Sequence, residues 1–218
     1  MVARSQRLTT GPANQTAVVD LDGSLASEGG QAGRLAEALR RSPPVMTALR
    51  AGREVGAPDW FVSAGAIRGA VWDALHGRPP TAIPRDVDLS FFDAADLAAD
   101  RDAVVEEELR RFAPELPWEA KNQAAVHLWY RARFGIAVPP FSCCAEAIAT
   151  FPEIASCVGV RLLQDDDLLV VSPHGLDDLL NGICRHNATR VSTRFYIERQ
   201  AQKQWFLRWP LVRYLDPD

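Results

Sequence analysis

The chain has 218 residues, 47% of them hydrophobic and 24% charged, with a formal net charge of −4. That is enough chain to bury a core as one globular domain, and it excludes a disordered, collagen-like or disulfide-stapled polypeptide. No apolar run approaches the roughly 20 residues of a membrane span and the polar start lacks a secretory signal, so a cytoplasmic location is expected.

Residues 1–40 carry Gly, Ser, Gln and Thr with little periodicity and read as a mobile leader, which leaves 41–218 as a single domain. From Pro44 the pattern turns helical, with Val45, Met46, Leu49 and Val55 on one face. Trp60-Phe61-Val62 reads as a short buried strand, followed by a helix over Ala66–His76 that Gly77 and Pro79-Pro80 stop. The stretch from Asp86 to Asp93 alternates polar and apolar residues as a half-buried strand does. A charged helix is expected over Asp96–Phe112, a strand over Trp118–Lys121 and a helix over Asn122–Phe134. Val158–Leu163 and Leu168–Val171 flank a polar turn and predict a hairpin, and Thr193–Arg208 predicts a basic, aromatic helix. This mixture is an α+β pattern.

Four cysteines, at 143, 144, 157 and 184, show no CxxC spacing, so free thiols without disulfides are expected. The charge is unevenly placed. Asp86–Asp178 holds 18 acidic and 7 basic residues, whereas Arg185–Arg213 holds 7 basic residues against Glu198 alone. The basic segment is a candidate meeting place for a phosphate-bearing acceptor, RNA or small molecule.

Three features in series carry chemistry. Gly65 stands where a strand passes into a helix, so the amides from Gly65 and Ala66 and the helix dipole favour an anion there. Arg68, one turn on, offers a fork of donors for phosphate. Asp86 and Asp88, one residue apart on a strand, point to the same face as paired hard ligands for Mg²⁺. Glu119 on the next strand is the candidate third carboxylate of a two-ion site, and Asp93 its substitute.

Glycine, a helix with an arginine, then Asp-x-Asp resembles the signature of the DNA polymerase β-like nucleotidyltransferase superfamily, especially the head of tRNA CCA-adding enzymes. Four blocks in order, Gly65–Trp72, Asp86–Asp93, Trp118–His127 and Pro173–Leu179, resemble a bacterial family of stand-alone nucleotidyltransferase-like proteins. The resemblance implies a nucleotidyltransferase fold, a short mixed sheet flanked by helices with a helical C-terminal segment closing one side of the cleft. It further implies Mg-dependent transfer of a nucleoside monophosphate from a nucleoside triphosphate to a hydroxyl acceptor. Asp86, Asp88 and Glu119 would be the catalytic and metal residues, and Gly65, Ala66 and Arg68 the nucleotide contacts. Ala66 departs from the pattern, which has Ser or Gly there.

Two other readings compete. The same fold serves equally as a catalytically silent nucleotide sensor. Ala17–Ser24, with Asp20 and Asp22, resembles the first motif of haloacid dehalogenase-like phosphatases, but the helix and strand order does not suit a doubly wound sheet. Arg68 has a structural alternative as the partner of Asp86 or Asp88. His127 is expected to bond a core carbonyl, and Trp129, Tyr130, Trp205 and Trp209 are expected to be packing anchors.

Overall fold

The computed structural model describes residues 16–19 and 29–216. Strand β1 (Thr16–Val19) and helix α1 (Gly29–Arg40) precede the expected domain start. Leu35 and Leu39 of α1 are fully buried, and β1 pairs in parallel with residues 168–171. The leader expected through residue 40 is therefore corrected over these two stretches; its other residues lie outside the described ones. Gly29, Gly30 and Gly33 are poor helix formers, and burial of the two leucines overrides them.

Helix α2 (Pro43–Val55) begins with its prolines in the first turn, where no intrahelical donor is lost. Strand β2 (Phe61–Ser63) runs directly into α3 (Ala64–Leu75), and β3 (Val87–Phe91) follows. Helix α4 (Arg101–Phe112) starts later than the polar pattern predicts, because Asp93 makes residues 93–96 a turn. Its Oδ1 accepts the amides of Ala95 and Asp96, and its carboxylate pairs with Arg101 at 3.1 Å. Strand β4 (Trp118–Asn122) ends in a 3₁₀ turn capped by the Asn122 side chain, and only then does α5 (Val126–Phe134) begin. Helix α6 (Cys144–Ile148) precedes the expected hairpin of β5 (Gly159–Leu162) and β6 (Leu168–Val171).

After α7 (Asp177–Leu180) and β7 (Ile183–Cys184), the expected C-terminal helix is broken in two. Gln204 takes a left-handed φ of 44°, which separates α8 (Thr193–Lys203) from α9 (Trp205–Arg208). Strand β8 (Arg213–Tyr214) then pairs with β7.

The main sheet is mixed, in the order β1-β6-β5-β2-β3-β4, with β1–β6 and β3–β4 parallel and the other pairs antiparallel. One face, through Val62, Val87, Leu89 and Val160, joins the main core with α1 to α4. The other, through Phe61 and Val171, packs under α6. Gly159 permits that packing, since a Cβ there would stand 2.7 Å from Ile148 Cδ1. The result is an α+β fold, a short mixed sheet flanked by helices. It is not the parallel doubly wound sheet of the phosphatase reading, whose Asp20 and Asp22 lie outside the described residues. Among the described residues no helix is long and apolar enough to cross a membrane, and all four cysteines are free.

Candidate active site

The register of β3 on β4 builds the site. Asp88 lies directly opposite Glu119, and opposed residues on paired strands project from the same face. Asp86 lies two residues earlier and shares that side. The three carboxylates form a row on the α6 side of the sheet. Beside them the Ser63 and Ser90 hydroxyls are 3.0 Å apart, joining β2 to β3.

The start of α3 meets this row. The Gly65 amide donates to the Asp88 carboxylate. A Cβ on Gly65 would lie 3.0 Å from Asp86 Oδ1 and 3.7 Å from Asp88 Oδ2, so glycine lets the helix start and the carboxylates approach. Ala64 just before it holds φ at 48°, the left-handed region that an alanine enters at a cost of about 1–2 kcal/mol. The strain sits at the turn that aims the amides at the carboxylates.

Burial pushes the Asp88 carboxyl up to about 6, the negative charges of Asp86 and Glu119 push it the same way, and Arg68 and the Gly65 amide oppose them. Elsewhere the buried carboxylates carry an arginine: Asp73 with Arg208, Asp93 with Arg101, Glu153 with Arg199 and Asp178 with Arg185, at 2.6 to 3.1 Å. Among the described residues, Asp86, Asp88 and Glu119 form no ion pair. Three mutually repelling oxygen donors that no ion pair neutralises suit a hard divalent ion. As the side chains stand, no three of the described His, Cys, Asp and Glu residues already enclose an ion position. The row is an open ligand set.

Arg68 does not present its fork to solvent. Its guanidinium is buried 3.8 Å over the Trp205 ring and 5.2 Å from Trp72, and it donates to the Ser156 hydroxyl. Ser156 in turn donates to Glu153, which pairs with Arg199 at 2.6 Å. This chain of bonds, with neither Asp86 nor Asp88 as an ion-pair partner, ties α3 to α8 and α9. Trp205 and Trp209 are the expected packing anchors, edge-on to Trp72 at 5.7 and 5.3 Å.

Two cavities flank the carboxylate row. One, of about 270 Å³, is lined by Gly65, Ala66, Asp86, Arg85, Lys203 and residues of α9. The C-terminal segment therefore closes that side of the cleft. The other, of about 460 Å³, takes in Asp88, Glu119 and a ring of aromatic side chains. Trp129 and Tyr130, expected as packing anchors, are half-exposed walls of this second cavity. The signal in the sequence was their clustering with Phe134 on α5; Arg85, Lys203, Phe141 and Phe195 carried none. Asp93 serves the turn described above, away from the trio. Among the described residues, His127 Nδ1 is buried with no hydrogen-bond partner.

A sequence model described as nucleotidyltransferase matches residues 50–214. Among solved structures, an NMR structure described as revealing a CCA-adding enzyme head domain is similar to this chain, with 28% identity and a TM-score of 0.70, covering 84% of this chain and 94% of that one. The Thermotoga maritima CCA-adding enzyme complexed with tRNA is 14% identical with a TM-score of 0.46, covering 83% of this chain and 42% of that one. The comparison with curated proteins finds no match.

Proposed function

Because the chain belongs to the nucleotidyltransferase family, we propose that it transfers a nucleoside monophosphate from a nucleoside triphosphate to a hydroxyl acceptor, using Mg²⁺ held by Asp86, Asp88 and Glu119. One observation carries the reading: three carboxylates stand in a row with no ion-pair partner among the described residues, against a helix N-terminus opened by Gly65.

Bound Mg²⁺ would supply charge neutralisation at the reacting phosphate. The chain's own groups divide the remaining work. Arg85, Lys203 and the first amides of α3, Ala66 among them, hold the outer phosphates in the first cavity. Arg68 is a positioning residue, fixing the helix start through Ser156 and Trp205. The acceptor oxygen bonds to the α-phosphorus while the α–β bridging P–O bond breaks, and the electron pair leaves on pyrophosphate. The hydroxyl proton passes to Glu119.

Isothermal titration with Mg–ATP tests the assignment. Asp86→Ala combined with Asp88→Ala is expected to weaken binding at least tenfold, and undiminished affinity removes the site. The buried fork of Arg68 and the open ligand set favour a second reading, a nucleotide-binding module without turnover. Pyrophosphate release with mixed nucleotides and cell extract, present in the native chain and absent in the double variant, separates the two.

A further inference from the structure

We propose that the aromatic cavity on the Asp88–Glu119 side is the acceptor subsite, and that its occupant is a small, planar-ring molecule bearing a hydroxyl. The proposal rests on the nucleotidyl-transfer reading above and names its missing substrate class.

Placement is the first argument. The carboxylate row divides the two cavities: Asp86 and Gly65 line the first, Asp88, Glu119 and Ala64 the second. Displacement at phosphorus needs the entering oxygen and the leaving pyrophosphate on opposite sides. Arg85, Lys203 and the α3 amides make the first cavity the phosphate side. The entering hydroxyl then comes from the second.

Size and wall chemistry are the second. A volume of about 460 Å³ falls in the small-molecule range of about 300–1,000 Å³. Trp129, Tyr130 and Phe134 of α5 face Phe141, Phe151 and Phe195 from four separate parts of the chain. The Tyr130 and Phe134 rings lie 4.5 Å apart, and Phe195 meets Phe134 edge-on at 6.4 Å. Such walls stack a flat ring.

Charge excludes a strand of nucleic acid, which needs a track of free cations along its phosphates. The cavity's basic residues form no such track. Lys121 pairs with Asp102, and Arg199 pairs with Glu153. Arg190 stacks 4.0 Å over Tyr130 and 4.7 Å over Phe141, walls of the same cavity, and its Nε and one Nη have no hydrogen-bond partner among the described residues, so it is a single cation and not a track. The Asp88 and Glu119 carboxylates on its wall accept a hydroxyl.

The test uses the full chain and 2-naphthylmethanol, a planar, uncharged primary alcohol, followed by saturation-transfer NMR and tryptophan fluorescence. Saturable binding is expected, weakened at least fivefold by Phe195→Glu. Phe195 is 39% exposed, so the fold should hold, which far-UV circular dichroism checks. Asp86→Asn should weaken Mg–ATP binding severalfold and leave the probe's affinity within twofold. No saturable probe binding overturns the proposal even where Mg–ATP binds normally. Displacement of the probe by Mg–ATP overturns it in favour of the nucleotide's own base, and displacement by a twelve-nucleotide RNA overturns it in favour of a nucleic-acid acceptor. Probe binding without any Mg–ATP binding overturns the nucleotidyl reading and with it the acceptor role, leaving only a ring-binding cavity.

Discussion

Asp88 concentrates the electrostatic tension of the site in one carboxyl. Its folded pKa of about 6 lies above the ordinary 3.8, so the folded chain holds that proton more tightly than the unfolded chain does. Stability therefore falls as pH rises from about 4 to 6, and the loss is complete above that window. The shift corresponds to at most about 3 kcal/mol, and partial solvent access brings the expected effect to about 1–2 kcal/mol. Asp88→Asn should accordingly be more stable than the native chain by that amount at pH 7.5 without metal, and equal to it near pH 4. Urea melts at the two pH values measure this, and equal stability at both would mean that the carboxylates are not strained against each other. Gly65→Ala probes the same contact from the helix side. Its methyl would stand 3.0 Å from Asp86 Oδ1, so the carboxylate must move while the helix gains a better former. Stability should change by less than about 1 kcal/mol, whereas Mg–ATP affinity should drop three- to tenfold.

Helix α3 links the site to the C-terminal segment, and Asp73 is the fastener. Its Oδ1 accepts the Trp209 indole N–H at 2.7 Å, and its Oδ2 accepts from Arg208 at 2.8 Å. Asp73→Ala leaves a buried indole donor and an arginine without their acceptor and should cost about 2–3 kcal/mol by urea denaturation. Asp73→Asn keeps an oxygen for the indole and should cost less; equal losses from both would show that the side-chain charge alone matters. Elements governed by local rules were legible in the sequence. The alternation of β3 put Asp86 and Asp88 on one face and the strand expected over Trp118–Lys121 carried Glu119, because a period of two fixes which side chains share a face, and the polar turn predicted the β5–β6 hairpin. What depended on distant partners was not legible. Arg68 reads as a phosphate fork until Ser156 and Trp205 arrive from far along the chain, and Gly-rich α1 becomes a helix only because Leu35 and Leu39 find a core. Trp129 and Tyr130 were visible as aromatic, but their role as cavity walls needed Phe141 and Phe195 opposite.

At the scale of the molecule, the basic C-terminal segment is part of the core's architecture and less a free arm for an anionic partner. Arg185, Arg194, Arg199 and Arg208 each hold a carboxylate, and Arg190 lies on aromatic rings. Two of these pairs, Arg185 with Asp178 and Arg199 with Glu153, join the basic end to the acidic middle. The apolar side chains of the segment go the same way. Tyr196 is fully buried with its hydroxyl donating to the Cys184 carbonyl, and Trp205 and Trp209 close over Trp72. A chain ended at residue 192 would expose Trp72, unstack Arg68 and strip Glu153 and Asp73 of their arginines. The burial of Trp72, Tyr196, Trp205 and Trp209 is lost, at about 1.5–3 kcal/mol for each large apolar side chain, a sum within the whole stability of an ordinary domain, about 5–15 kcal/mol. The truncated chain is therefore expected not to fold, with broad proton NMR and no cooperative melt, whereas an appended arm could be removed with the melt intact. If it melts cooperatively near the native temperature, the segment is an accessory to the site and the coupling of α3 to α9 has no energetic weight. If it does not, the cleft's closing wall and the fold are the same structure, and nucleotide access must come from side-chain movement around Arg85 and Lys203 without release of the segment.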